Sequence, residues 1–253
     1  MKVDLLNRAQ LSIINKNNFR YPLSIAEKDY MLGIVLGILY ESSVRDKLVF
    51  KGGSALHHLY LNQLRFSEDL DFTVLGKITL DEVKEILGNY EFLKVKEEFV
   101  SRFTIKIGKL QYQGPLGLAN WIKLNFDLAG NVFKKPIWRE HKNIFGLQLK
   151  VLSMGVEEIV AEKIRAIFER ARYRDFYDLT MTFKKYQLYK MSIYKILQTK
   201  ELKRDLNRED IISNWEVAKE GKRKDSERIW YREEIGEDEI DTFLESLFVS
   251  LKL

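Results

Sequence analysis

Two stretches of the chain carry residue types whose spacing could do chemistry. The first is Gly52-Gly53-Ser54, reached from the β-prone run Leu48-Val49-Phe50 and followed by an apolar-periodic segment over 55–61. Two glycines let a backbone turn sharply and approach a ligand closely. Ser54 is a good N-cap for a helix over 54–61, and a helix N-terminus after a tight turn presents N–H groups to an anion. The second stretch is Asp69-Leu70-Asp71-Phe72. In a strand, residues i and i+2 point to the same face. Asp69 and Asp71 therefore project together, while Leu70 and Phe72 point into a core. Two carboxylates held side by side repel unless a cation sits between them. Oxygen-only ligands suit Mg²⁺, which takes one or two protein carboxylates plus substrate phosphates. A phosphate cradle followed by a metal-binding carboxylate pair predicts phosphoryl or nucleotidyl transfer.

The elements that must position these groups can be read around them. Ser24-Ile25-Ala26-Glu27 has the capping-box pattern and predicts a helix running to about residue 47. Thr79 opens another short helix with Asp81 and Glu82 in its first turn, where they complement the helix dipole. From 91 to 128 the apolar period switches to two, predicting antiparallel strands with turns near Gly108 and at Gly114-Pro115. In the last of these strands Ile122, Leu124, Phe126 and Leu128 share one face, and Lys123, Asn125 and Asp127 the other. A basic connection over 129–150 leads to a short strand over 146–152.

The composition changes near Ser153, separating an expected domain over 1–152 from a helical one over 153–253. Ser153 is a plausible N-cap, with Glu157 and Glu158 in the first turn of a helix to about residue 172. Lys163, Ile167, Arg170 and Arg174 recur as one stripe of that helix. The stripe could point cations at the carboxylate cleft, or be a solvated face with Glu–Lys pairs. Asp175 and Asp178 are three apart, close enough on a helical turn to work together. One could orient Arg174 or Lys163 and the other a hydroxyl or nucleotide, with a helix cap the plainer role for Asp175. The fold class expected is α/β (α+β): a small, mostly antiparallel mixed sheet with helices on one side, plus a helical C-terminal domain.

Composition narrows the class. A chain of 253 residues, 45% hydrophobic and 31% charged, can bury a core. The net charge of +5 is a mild bias toward polyanions. Residues 184–224 hold twelve Lys and Arg against six Asp and Glu, with Tyr186, Tyr189 and Tyr194 interleaved, compatible with RNA contact. The chain has no cysteine, which excludes disulfides and thiolate zinc sites, and three scattered histidines, to which no role is assigned. No signal peptide or membrane-spanning run is read, so the expected location is the cytoplasm.

Gly52-Gly53-Ser54 followed by Arg65-Phe66-Ser67-Glu68-Asp69-Leu70-Asp71-Phe72 resembles the minimal nucleotidyltransferases of the DNA polymerase β type. The resemblance is nearest to the AbiEii/AbiGii class, the enzyme halves of type IV toxin–antitoxin pairs. A later block, Glu157-Glu158-Ile159-Val160-Ala161-Glu162-Lys163-Ile164-Arg165-Ala166, then Arg170 and Arg174-Asp175-Phe176-Tyr177-Asp178-Leu179, follows in the family's order.

The resemblance implies transfer of NMP from an NTP to an RNA acceptor, with tRNA 3′ ends the leading candidate. Mg²⁺, or Mn²⁺ in its place, is the implied cofactor, and an antitoxin encoded alongside the implied partner. It implies catalytic roles for Asp69, Asp71, Lys163 and Asp178, and nucleotide binding by Gly52, Gly53, Ser54, Lys163, Arg174 and Asp175. The metal ligands are then Asp69 and Asp71 with a third acid on the neighbouring strand. In the family that acid falls where Asn125 stands; Asp127, one step along the same face, is expected to replace it, unless it simply ends the strand. Two other readings keep the residues and change the outcome: a protein or small-molecule acceptor such as an aminoglycoside, or a nucleotide-binding module without turnover.

Overall fold

The computed structural model describes residues 3–188, 190–200, 205–224 and 229–251. The chain divides into two compact units, Met1–Met154 and Gly155–Leu253.

The first unit is built on a seven-stranded mixed sheet. Its strands are β1 (Leu48–Lys51), β2 (Asp69–Val74), β3 (Leu93–Val100), β4 (Thr104–Gln113), β5 (Ala119–Asp127), β6 (Ile137–Glu140) and β7 (Lys150–Ser153), in the spatial order β3-β4-β5-β2-β1-β7-β6. The β2–β5 and β1–β7 pairs are parallel; the other four are antiparallel. One cross-strand row, Phe50↔Phe72↔Phe126, runs through the centre of the sheet. All three rings are fully buried and neighbouring rings lie 5.6 and 5.2 Å apart. Aromatic pairs at that spacing add to the hydrophobic gain of burial. The helix α2 (Leu23–Tyr40), apolar nearly all round and buried from Tyr30 to Tyr40, packs against β2, β5 and β7. At its end the Tyr40 hydroxyl donates to the carbonyls of Leu48 (2.7 Å) and Leu152 (2.8 Å), tying β1 to β7.

Several local expectations change. The Ser24–Glu27 capping box does not form: α2 starts at Leu23 behind Pro22 and stops at Tyr40. Glu27 is instead buried, and its carboxylate accepts from the Leu116 N–H at 2.6 Å, anchoring the turn between β4 and β5. Burial pushes its pKa up, and the Leu116 bond partly offsets this. A capping box does form earlier, between Asn7 and Gln10 of α1 (Arg8–Asn17). Thr79 caps α4 (Leu80–Gly88) as expected, accepting from the Glu82 N–H.

The second unit consists of α5 (Val156–Glu169), α6 (Tyr173–Lys185), α7 (Lys190–Thr199), α8 (Arg208–Arg223) and α9 (Glu237–Leu251). Ser153 is not the cap of α5; it ends β7 fully buried, and Gly155 stands at the cap without a side-chain bond. Trp215 centres the packing, its ring 5.5 Å from Tyr173 and 5.0 Å from Phe176, with its indole N–H donating to Asp241 at 2.6 Å. Lys200 fixes α7 on α5 through Glu158 (3.0 Å) and Glu162 (2.7 Å). Tyr189, Lys203 and Arg204 of the basic stretch lie outside the described residues.

Candidate functional site

The polar row next to the buried phenylalanines holds the candidate chemistry of the first unit. Strand register places Lys51, Asp71 and Asn125 directly across from one another on β1, β2 and β5. A side-chain period of two puts this row on the face opposite Phe50, Phe72 and Phe126. Asp69 lies on the same face, across from Lys123, and Leu70 points the other way, buried. The strand alternation read from Asp69-Leu70-Asp71-Phe72 is thus what the sheet uses.

The glycine turn leans on this row. Gly52 has φ +75°, and a Cβ there would sit 2.6 Å from Asp71 Oδ2. Both the left-handed backbone and the close approach require glycine. Gly53 is crowded from the other side, where a Cβ would meet Arg65 Nη2 and Ser67 Oγ at 3.0 Å. The helix α3 (Gly52–Ala55) begins with Lys51 as N-cap rather than Ser54, so Gly52, Gly53 and Ser54 form its first turn. Their N–H groups precede any intrahelical acceptor and remain available to an anion. The Ser54 hydroxyl is buried and donates to the Asp69 carbonyl, which fixes the turn to the start of β2.

The helix continues as a π-helical turn, Leu56–Tyr60, closed by the Leu61 N–H on the Leu56 carbonyl at 3.0 Å. Such turns shift side-chain directions within a helix. Here His57 and His58 point inward and are buried, which apolar periodicity did not show. His58 lies 3.4 Å from Asp29, donates from Nδ1 to the Lys142 carbonyl (3.0 Å), and stacks on His141 at 4.4 Å. Burial opposes charge on His58, but Asp29 and the Lys142 carbonyl outweigh it and raise its pKa. Burial and neighbouring His58 push His141 well below the usual range.

Asn125 donates from Nδ2 to Asp71 Oδ1 at 2.8 Å, occupying the position across from Asp71. Asp127 sits across from Thr73, two residues along the same face, and pairs with Lys51 Nζ at 3.0 Å. Among the described residues there is no group of three His, Cys, Asp or Glu placed to hold a metal. The acids sharing this face beside the glycine turn are Asp69 and Asp71, with the Asn125 carboxamide bonded to Asp71. Lys51 is a site residue that sequence reading passed over, although it stands immediately before the two glycines. Arg65 is another: buried, it bonds the Phe66 carbonyl at 2.9 Å and packs against Gly53.

In the second unit Lys163 is buried, not part of a solvated stripe. Its ammonium lies 2.6 Å from Asp175 and 2.7 Å from Asp178, both fully buried, and Arg170 reaches Asp175 at 2.8 Å. Asp175 is therefore no helix cap; Arg172 holds that position. Arg174 is half-buried on the first turn of α6. Burial alone would raise the Asp175 pKa, but Lys163 and Arg170 outweigh it and hold it at about 2.

The family model "Nucleotidyl transferase AbiEii toxin, Type IV TA system" matches residues 34–250. Among solved structures, MenT4, a nucleotidyltransferase toxin from Mycobacterium tuberculosis H37Rv, superposes with a TM-score of 0.63 at 20% identity, over 81% of this chain and 76% of that one. JHP933 from Helicobacter pylori superposes with a TM-score of 0.61 at 17% identity, over 90% of this chain and 94% of that one. At such identities the likeness is one of fold. No curated protein matches the sequence.

The Asn125–Asp71 hydrogen bond and the Lys163–Asp175 ion pair each carry a prediction. Asn125→Asp removes an N–H donor to Asp71 and sets two like charges across adjacent strands. In EDTA it should lower unfolding stability by about 1–3 kcal/mol, while Mg²⁺ should stabilise it more than it stabilises the wild type. Urea unfolding with and without Mg²⁺ checks this; equal Mg²⁺ shifts would contradict it. Asp175→Asn should cost about 3 kcal/mol at pH 7, because it strips a buried ammonium of one partner. A depressed folded pKa stabilises above the unfolded value and ceases to as pH falls through the folded one. The gap to wild type should therefore close as pH drops from 3.8 toward about 2, read from urea midpoints across that range.

Proposed function

The chain belongs to the AbiEii family of nucleotidyl transferase toxins of type IV toxin–antitoxin systems, and on that premise we propose that it transfers an NMP group from an NTP to an RNA acceptor, tRNA 3′ ends foremost. The family implies a nucleotide substrate and an antitoxin partner. Among the described residues no helix is long and apolar enough to cross a membrane. The observation that carries the reading is the contact between Gly52 and Asp71. It sets the first turn of a helix, with its N–H groups, against a carboxylate that shares a sheet face with Asp69.

We assign Mg²⁺ to Asp69 and Asp71. The donor set fits: two hard carboxylate oxygen donors, no thiolate, and a neighbouring Asn125 amide suit an ion that takes its remaining ligands from phosphates and water. When bound, the ion supplies Lewis-acid polarisation at the α-phosphate. The chain's own residues do the rest. Gly53 and Ser54 N–H groups receive the phosphate oxygens distant from the reacting bond. The Ser54 hydroxyl holds that turn in register with Asp69. Asn125 orients the Asp71 carboxylate from the next strand. Lys51, held by Asp127 in the same polar row, places a positive charge on the sheet face beside the carboxylates. In the second unit Asp175 and Asp178 hold the buried Lys163 ammonium between α5 and α6.

Purified protein incubated with Mg²⁺, total tRNA and each labelled NTP in turn should label RNA with at least one nucleotide. Asp71→Ala should lower that rate roughly 10³-fold, the scale of several kcal/mol of lost charge stabilisation. Label on protein or a small molecule with RNA unmarked would move the acceptor. Equal labelling by wild type and Asp71→Ala would remove Asp71 from the chemistry.

A further inference from the structure

The polar row at Lys51, Asp71 and Asn125 does not stop at β5. Register carries it outward through Lys106 on β4 to Phe99 on β3, the edge strand of the sheet. Phe99 is 58% exposed, an unusual setting for a phenylalanine. A second row on the same face runs Lys94↔Gln111↔Trp121. Trp121 is 45% exposed, with Lys109 Nζ 4.9 Å from its ring centroid. Lys123, across from Asp69, lies between the two rows on β5. Glu97 is the acid beside them, and Lys109 meets it at 3.2 Å. The outer half of the sheet thus shows two exposed aromatic rings set among lysines, continuous with the Asp69–Asp71 face.

We propose that this face of β3, β4 and β5 is the track on which the single-stranded end of the RNA acceptor lies, with bases stacking on Phe99 and Trp121 and phosphates meeting Lys94, Lys106 and Lys123. The inference rests on the RNA-transferase reading above. Aromatic rings offer a stacking surface to any base, and lysines track the backbone without reading sequence, which is the chemistry of single-strand binding. The dimensions agree. Phe99 stands three strand spacings from Asp71, about 14 Å, the length of roughly four nucleotides stacked at ~3.4 Å each. A 3′ hydroxyl at the carboxylates then leaves the preceding bases over the lysines and the rings. A folded protein surface would need apolar continuity here, whereas lysines separate the two rings.

The test uses the full-length chain and a 5′-fluorescein-labelled ten-nucleotide RNA, followed by anisotropy, beside extension of total tRNA with labelled NTP. Phe99→Ala combined with Trp121→Ala should weaken RNA binding by about tenfold or more. The same pair should raise KM for tRNA while leaving KM for the NTP unchanged. Lys94→Ala combined with Lys106→Ala should make the slope of log K against log salt shallower by about 1.4, two phosphates at roughly 0.7 each. Unchanged thermal midpoints confirm that these exposed substitutions leave the fold intact, and Trp121→Phe should restore most of the affinity. If the wild type binds and extends RNA but both variant pairs match it, the track is overturned and the transferase reading stands. If the wild type labels a protein or small molecule and neither binds nor extends RNA, the RNA reading and the track fall together.

Discussion

Three strands whose register aligns Phe50, Phe72 and Phe126 must also align Lys51, Asp71 and Asn125, because successive side chains point to opposite faces. The buried ring row resists any slip: moving β2 by a single residue could carry Phe72 out of the core and the Asp71 carboxylate into it. The cost of burying an unpaired carboxylate and exposing a ring fixes the strands far more tightly than the polar row could by itself. Hydrophobic packing on one face thereby supplies the positional accuracy that the chemistry on the other face needs. Tyr40, bridging Leu48 and Leu152, and Ser54, bonded to Asp69, extend the same constraint to β7 and to the glycine turn.

Electrostatics then differentiates the acids. Asp71 receives an amide N–H from Asn125, and Asp127 is matched by Lys51. Asp175 and Asp178 are buried around one ammonium, an arrangement in which geometry is set by charge rather than by apolar contact. An asparagine in place of a third acid lowers the negative charge at the Asp69–Asp71 face.

The parts of this arrangement that were legible in the sequence are those governed by local rules. The alternation Asp69-Leu70-Asp71-Phe72 gave the two faces of β2, Thr79 gave a cap, and the period-two run over 91–128 gave β3, β4 and β5. The family likeness came from motif order. What was not legible depended on contacts between distant segments. Ser24 and Glu27 have cap spacing, but Glu27 serves the Leu116 N–H, far along the chain. Ser153 has cap chemistry, but the sheet claims it as the end of β7. By spacing Lys163 falls on a helical stripe either aimed at the carboxylate cleft or solvated, and the structure instead buries it between Asp175 and Asp178. Lys51 acquires meaning only from its register with Asp71, and the Asn125–Asp71 bond only from the pairing of β2 with β5, parallel neighbours separated by two other strands in sequence. The π-helical turn that buries His57 and His58 has no local signature in the residues it contains.

The measurement that bears most directly on the central claim is anomalous diffraction from crystals grown with Mn²⁺ and a non-reacting NTP analogue. The account predicts a Mn²⁺ peak coordinated by the carboxylates of Asp69 and Asp71, with the triphosphate reaching the N–H groups of Gly53 and Ser54. A nucleotide bound with its metal away from Asp69 and Asp71, or a peak that persists unchanged in Asp71→Ala, would contradict it.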